Sequence, residues 1–282
     1  MRWTHPALPE RSVRLAYCMN LHAAEDLPGV LEGIRTTAAP LARRLGGGRP
    51  FGVGAYLPAA VARAVEDGEG GGPAGFASFL ADHGLEAFTF NAFPYGGFHR
   101  EGLKADVFRP TWREPERLEF TLAVARIAAA TAATAVTGAA GPGGHLSIST
   151  HTGLFGAWIE SDRDLDECAA NFARCAAELA ALERAGGPRV VLSLEPEPRA
   201  SAGSTAELVP FLARVRAAGP ALLATERGLP VPESERLLQH HLGTCLDTCH
   251  AAVEFEPAAE ALANATAAGT PLGKLQLSLI HI

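Results

Sequence analysis

Short apolar runs alternate along this chain with segments of helical period, and that alternation limits the possible folds more than any other feature. Strand and helix in regular succession are the signature of βα units around a parallel sheet. The expected strands cover residues 13–20, 51–57, 86–93, 145–150, 189–195 and 242–247, and a seventh begins at Gly273-Lys274-Leu275-Gln276. The expected helices cover 27–45, a broken pair at 58–65 and 76–83, then 115–134, 164–185, 204–218 and 257–268. Ser161 and Ser204 stand where helix N-caps belong, and the glycine-rich segment 67–73 reads as a flexible connection. Residues 1–282 form one domain in this reading. Its class is α/β, a TIM (β/α)8-type barrel truncated at the carboxyl end, with about six and a half of eight βα units present.

The last six residues, Leu277-Ser278-Leu279-Ile280-His281-Ile282, break the pattern. They match one reading frame of a sequencing-library adapter, so 277–282 are expected to be non-native and the natural chain to continue past Gln276.

At 282 residues, 48% hydrophobic and 20% charged, the chain can bury a substantial core. A net charge of −7 without a basic run lacks the electrostatic footprint of a nucleic-acid binder. No run approaches the ~18 consecutive apolar residues of a membrane span, and the amino terminus lacks a secretory apolar region. Five cysteines, odd in number and dilute, favour a reducing, cytoplasmic setting. The expected partner is a small-molecule metabolite, and the oligomeric state stays open.

Two motifs carry most of the chemistry. Ser193-Leu194-Glu195-Pro196-Glu197-Pro198 and Cys245-Leu246-Asp247-Thr248-Cys249-His250 each put carboxylates where a buried strand ends. In a barrel of parallel strands that end is where active sites are assembled. Carboxylates on one face repel unless a cation or a proton lies between them. The expected cofactor is therefore a divalent metal, Mn²⁺, Mg²⁺ or Zn²⁺, held by Glu195 and Asp247. Glu197 and His250 are the expected catalytic pair, one moving a proton and the other holding a substrate oxygen. His22, Asn91, His99 and His151 lie at or just past strand tips and are candidate substrate contacts. Trp112 joins them from the long aromatic segment 94–113, read as a lid or pocket wall. Cys245 and Cys249 read as small buried hydrophobes.

With those residues in hand, the chain resembles the xylose-isomerase-like TIM-barrel superfamily of sugar isomerases and epimerases. Leu194-Glu195-Pro196-Glu197-Pro198 is similar to the isomerase motif whose first Glu binds metal. Leu246-Asp247-Thr248-Cys249-His250 looks like the epimerase segment in which Asp binds metal and His contacts substrate. More narrowly the chain resembles the EboE-type metabolite traffic proteins. The supporting stretches are Leu15-Ala16-Tyr17-Cys18-Met19-Asn20-Leu21-His22, Phe90-Asn91-Ala92-Phe93-Pro94-Tyr95-Gly96-Gly97-Phe98-His99, the segment from Lys104 to Trp112, and Ser147-Ile148-Ser149-Thr150. The resemblance implies a metal-binding barrel that serves metabolite traffic, isomerising or epimerising a small polar compound. A non-catalytic carrier that uses Phe98 and Trp112 to hold an apolar precursor is the rival. Glu197 departs from the isomerase pattern, which has a catalytic Lys there. The superfamily's further ligands on strands seven and eight are not visible, with Gln276 near the first of those places.

Overall fold

The computed structural model describes residues 2–5, 8–97, 104–134 and 144–277. His99, Phe98 and residues 278–282 lie outside these. Two strands, β1 (Arg2–His5) and β2 (Leu8–Arg14), pair antiparallel as a small ribbon. The other seven form one parallel sheet in sequence order: β3 (Tyr17–Cys18), β4 (Phe51–Tyr56), β5 (Leu85–Asn91), β6 (Leu146–His151), β7 (Val190–Glu195), β8 (Leu242–Asp247) and β9 (Leu272–Gln276). Between them run α1 (Leu27–Gly33), α2 (Ala39–Leu45), α3 (Ala59–Glu66), α4 (Gly72–Asp82), α5 (Pro115–Thr134), α6 (Asp162–Arg184), α7 (Thr205–Arg227), α8 (Val231–His241), α9 (Thr248–Val253) and α10 (Ala258–Ala265). The sheet curls into a half-barrel with the helices outside, compatible with part of a TIM-like barrel.

Each central strand sends alternate side chains to opposite faces. Leu146, Ile148, Val190, Leu192, Leu194 and Leu242 face outward into the main core, which the helices complete with Phe120, Val124, Phe172, Leu212 and others. The inward positions are mostly small or polar: Ser147, Ser149 and His151 on β6, and Ser193 and Glu195 beside Val191 on β7. Ser147 and Ser193 hydroxyls meet at 2.9 Å. Strand β9 leans across this concave face. Lys274 Nζ donates to Ser149 Oγ at 3.1 Å, and the Gly273 carbonyl lies 3.0 Å from His145 Nε2. A Cβ at Gly273 would come within 2.1 Å of Ser193 Oγ, so only glycine permits the approach.

The structure departs from the sequence reading in four places. The expected strand at 13–20 divides: β2 ends at Arg14 and β3 contributes only two residues to the sheet. Arg14, bonded to Glu86 at 2.7 Å and lying over the Phe88 ring, ties the ribbon to β5. The helix expected over 27–45 contains a π turn, Ile34–Ala38, just before Pro40, whose missing N–H disturbs the ordinary ladder. Gly219-Pro220 suggests a stop after 218, yet α7 runs to Arg227. Gly219 is a packing residue, since a Cβ there would meet Leu238 of α8 at 2.8 Å and Ala173 of α6 at 3.2 Å. Helix α8 was not anticipated at all, because Leu237 and Leu238 are its only strongly apolar pair.

By length and composition alone α7 could cross a bilayer. Its Leu208, Phe211, Leu212, Val215 and Leu223 are instead buried in the core. Ser204 caps it as expected, exchanging bonds with Glu207, and Asp164 closes the matching box with Ser161 at the start of α6. All five cysteines are free thiols.

Candidate metal centre

Glu195 is the last residue of β7 and Asp247 the last of β8, both almost completely buried. The register Leu194↔Thr244 brings the two strand ends side by side. His250 follows one turn later on α9. One donor atom from each of Glu195, Asp247 and His250 lies within 4.8 Å of the others. Two carboxylates from separate strands and an imidazole three residues past the second thus converge at the carboxyl ends of adjacent strands.

Each group also has an ordinary structural partner. Asp247 Oδ1 caps α9, accepting from Cys249 N at 2.7 Å and His250 N at 3.3 Å. Asp247 Oδ2 accepts from Gln276 Nε2 at 2.5 Å, and the same amide nitrogen lies 3.3 Å from Glu195 Oε1. The Gln276 NH2 group therefore straddles two carboxylates. Its Oε1 is buried without a partner, as is Glu195 Oε2. A half-turn of this amide would exchange donor for acceptor. The donor set present, two carboxylates with a carboxamide beside them, fits a hard divalent ion such as Mn²⁺ or Mg²⁺.

His250 Nδ1 lies 3.2 Å from the Pro196 carbonyl, 3.5 Å from Glu195 Oε1 and 3.4 Å from Glu197 Oε2. A nitrogen facing a carbonyl carries its hydrogen, so His250 Nδ1 is a proton donor towards these oxygens and the lone pair lies on Nε2. Burial pulls its pKa down, but Glu197, Glu195, Asp247 and the Pro196 carbonyl together leave it raised. Burial likewise pushes the Glu197 carboxyl from its ordinary 4.5 up to about 8, with Glu195 and Asp247 adding to the rise against the pull of His250. Glu195 is raised by burial too, although the positive charges of Lys274 and His250 draw it down. The raised Glu195 and Glu197 carboxyls mark a crowding of negative charge that protons or a cation would relieve.

Lys274 is the residue the sequence reading missed. It is one of two lysines in a chain that otherwise uses arginine, and it stands in register with Cys245 on the concave face. That scarcity was the available signal.

The other expected contacts divide. His151 ends β6 directly beside Glu195 in register and is fully buried against Phe93 and Phe108. Its Nδ1 accepts from Gly153 N at 3.3 Å, so Nε2 bears the hydrogen, and that atom is buried with no partner. Burial, then the charge of Arg117, holds its pKa well below the usual range and keeps it neutral. Asn91 turns its Oδ1 back to Phe93 N at 2.9 Å, capping its own strand end. His22 bonds Tyr17 Oη at 3.1 Å and lines a separate cleft of about 680 Å³ with Glu25, Asp26 and Glu32. Trp112 packs inward from its segment. It has no exposed surface, stacks on Phe172 at 4.1 Å and donates its indole N–H to Thr150 at 3.0 Å, so it belongs to the core. Elsewhere in that segment Phe108 covers the end of β6.

No family model matches the chain, and no curated protein or solved structure matches it.

Proposed function

We propose that this chain is a divalent-metal-dependent isomerase or epimerase of a small polyhydroxylated carbonyl compound, of the kind its resemblance to EboE-type metabolite traffic proteins implies. The observation that carries the reading is the buried convergence of Glu195, Asp247 and His250 within 4.8 Å at adjacent strand ends. Glu195 and Asp247 would hold the ion, with Gln276 beside them. When bound, such an ion polarises a carbonyl and its neighbouring hydroxyl.

The chain's own residues supply the proton chemistry. Glu197, raised to about 8 and facing the His250 Nδ1–H at 3.4 Å, is placed to take a proton from the carbon next to the carbonyl. His250 holds or protonates the substrate oxygen. Phe108, lying over His151 and Phe93, helps to exclude water from that side.

The test has two parts. Bound metal is measured in the chain and in Glu195→Ala and Asp247→Ala. The Mn²⁺-loaded chain is then incubated with aldoses and ketoses in deuterated water. One equivalent of Mn²⁺ lost in both variants, with deuterium entering beside the carbonyl in the parent, supports the reading. A parent chain that binds no metal rejects it.

A further inference from the structure

At the opposite end of the sheet, where strands begin, a second group of metal-ligating side chains has no part in that chemistry. Glu183 stands one residue before the end of α6, and His240 and His241 are the last two residues of α8. Glu183 Oε2 lies 3.1 Å from His240 Nε2 and 3.3 Å from His241 Nε2, with one donor atom of each within 4.8 Å of the others. Two ligands about 2.0–2.1 Å from a zinc ion at tetrahedral angles lie about 3.3 Å apart, which is the spacing seen here.

The protonation pattern points the same way. His241 Nδ1 faces the Val190 carbonyl at 2.8 Å and therefore carries its hydrogen, leaving a lone pair on Nε2. That lone pair is aimed at a carboxylate, an arrangement that needs either a second proton or a cation between them. Both α6 and α8 also point their carboxyl ends, the negative ends of their dipoles, at this place. Arg189 is already engaged by the His240 carbonyl at 2.8 Å, and Arg184 by Glu233 at 3.5 Å. The group opens on a cavity of about 650 Å³.

The geometry points to a zinc site formed by Glu183, His240 and His241, with a fourth position open to the cavity for water or an anion. It would clip the end of α6 to the junction of α8 and β8. The donor set distinguishes it from the carboxylate centre at the other end: two imidazoles and one carboxylate suit Zn²⁺, whereas oxygen-rich sets suit Mn²⁺ and Mg²⁺.

The experiment uses chelator-stripped protein titrated with Zn²⁺ alone, in a Glu195→Gln, Asp247→Asn background that removes the other centre. One equivalent should bind and raise the melting temperature by about 5 °C at saturating metal. Co²⁺ in its place should give the intense visible absorption of a tetrahedral site. His240→Ala and Glu183→Gln, both at partly exposed positions, should each weaken binding at least about 100-fold. One equivalent bound with unchanged affinity in both variants would overturn the site, as would no zinc bound in the background. Should that background not fold, the otherwise unaltered chain must lose one equivalent of zinc on His240→Ala, and unchanged stoichiometry overturns the proposal. Loss of the Glu195 centre leaves this equivalent in place, so the two sites fail separately.

Discussion

The two faces of the seven-stranded sheet are made by the same strands and differ in almost every physical respect. The outer face is apolar, closed by helices, and so well filled that Trp112, Phe172 and Ile148 have no exposed surface. The inner face carries Ser147, Ser149, Ser193, Glu195, Asp247, Lys274 and Gln276, with unpartnered buried oxygens on Glu195 and Gln276. A face that buries hydrocarbon lowers the free energy of folding. A face that buries carboxylates and amides costs free energy unless each finds a partner, and uncompensated cost of this kind collects at functional sites. In this sheet the outer face determines the shape, and the inner face gathers the titratable and unpartnered polar groups.

That division makes separable demands. Trp112→Ala, on the outer side, removes the largest fully buried side chain and should cost about 3–5 kcal/mol in chemical denaturation. Metal affinity, measured where the variant remains folded, should be unchanged. Equal stability with lost ligand binding would instead return Trp112 to a pocket. On the inner side the pattern reverses. Glu195→Ala or Asp247→Ala should weaken Mn²⁺ binding by roughly 100-fold or more in equilibrium dialysis. Glu195→Ala should leave the metal-free melting point nearly unchanged or raise it, because a desolvated carboxyl has gone.

A smaller effect is the pH dependence of the metal-free chain. Glu197 binds its proton more tightly folded, at about 8, than unfolded, near 4.5. The folded state thus holds more protons in that window, and stability must fall as pH rises through it. The raised pKa of His250 acts in the same direction. Melting temperature should drop by several degrees between pH 5 and 9, and Glu197→Gln should flatten the curve; a rising curve would refute the assignment. The smallest expected effect is at the centre of the inner face. Ser193→Ala leaves the Ser147 hydroxyl without its partner and should cost about 1 kcal/mol.

The two histidine–carboxylate clusters sharpen the contrast along the strands. The carboxyl-end cluster gathers Glu195, Glu197 and Asp247 around one imidazole. The amino-end cluster gathers His240 and His241 around one carboxylate, beside arginines. The same side-chain types in inverted proportion favour different cations.

Much of this was legible in the residues alone. Largely apolar runs ending in Glu195 and Asp247 located β7 and β8 and put the carboxylates at their carboxyl ends, because strand period and strand end are local properties. Ser161 and Ser204 marked their helices for the same reason. What the sequence could not decide depends on distance between elements. Trp112 sits in a segment of aromatic composition, and only the approach of Phe172 and Thr150 makes it core. Gly219-Pro220 resembles a helix stop until Ala173 and Leu238 are seen to press against it. Lys274 and Gln276 belong to a short strand whose meaning comes from crossing the concave face to reach Ser149, Glu195 and Asp247. His240-His241 has no local motif, and Glu183 lies 57 residues before His240, so chain folding alone brings their charges together. Periodicity and capping are written in neighbours along the chain; burial, partnership and charge balance arise between residues far apart in it, and tertiary structure alone sets them.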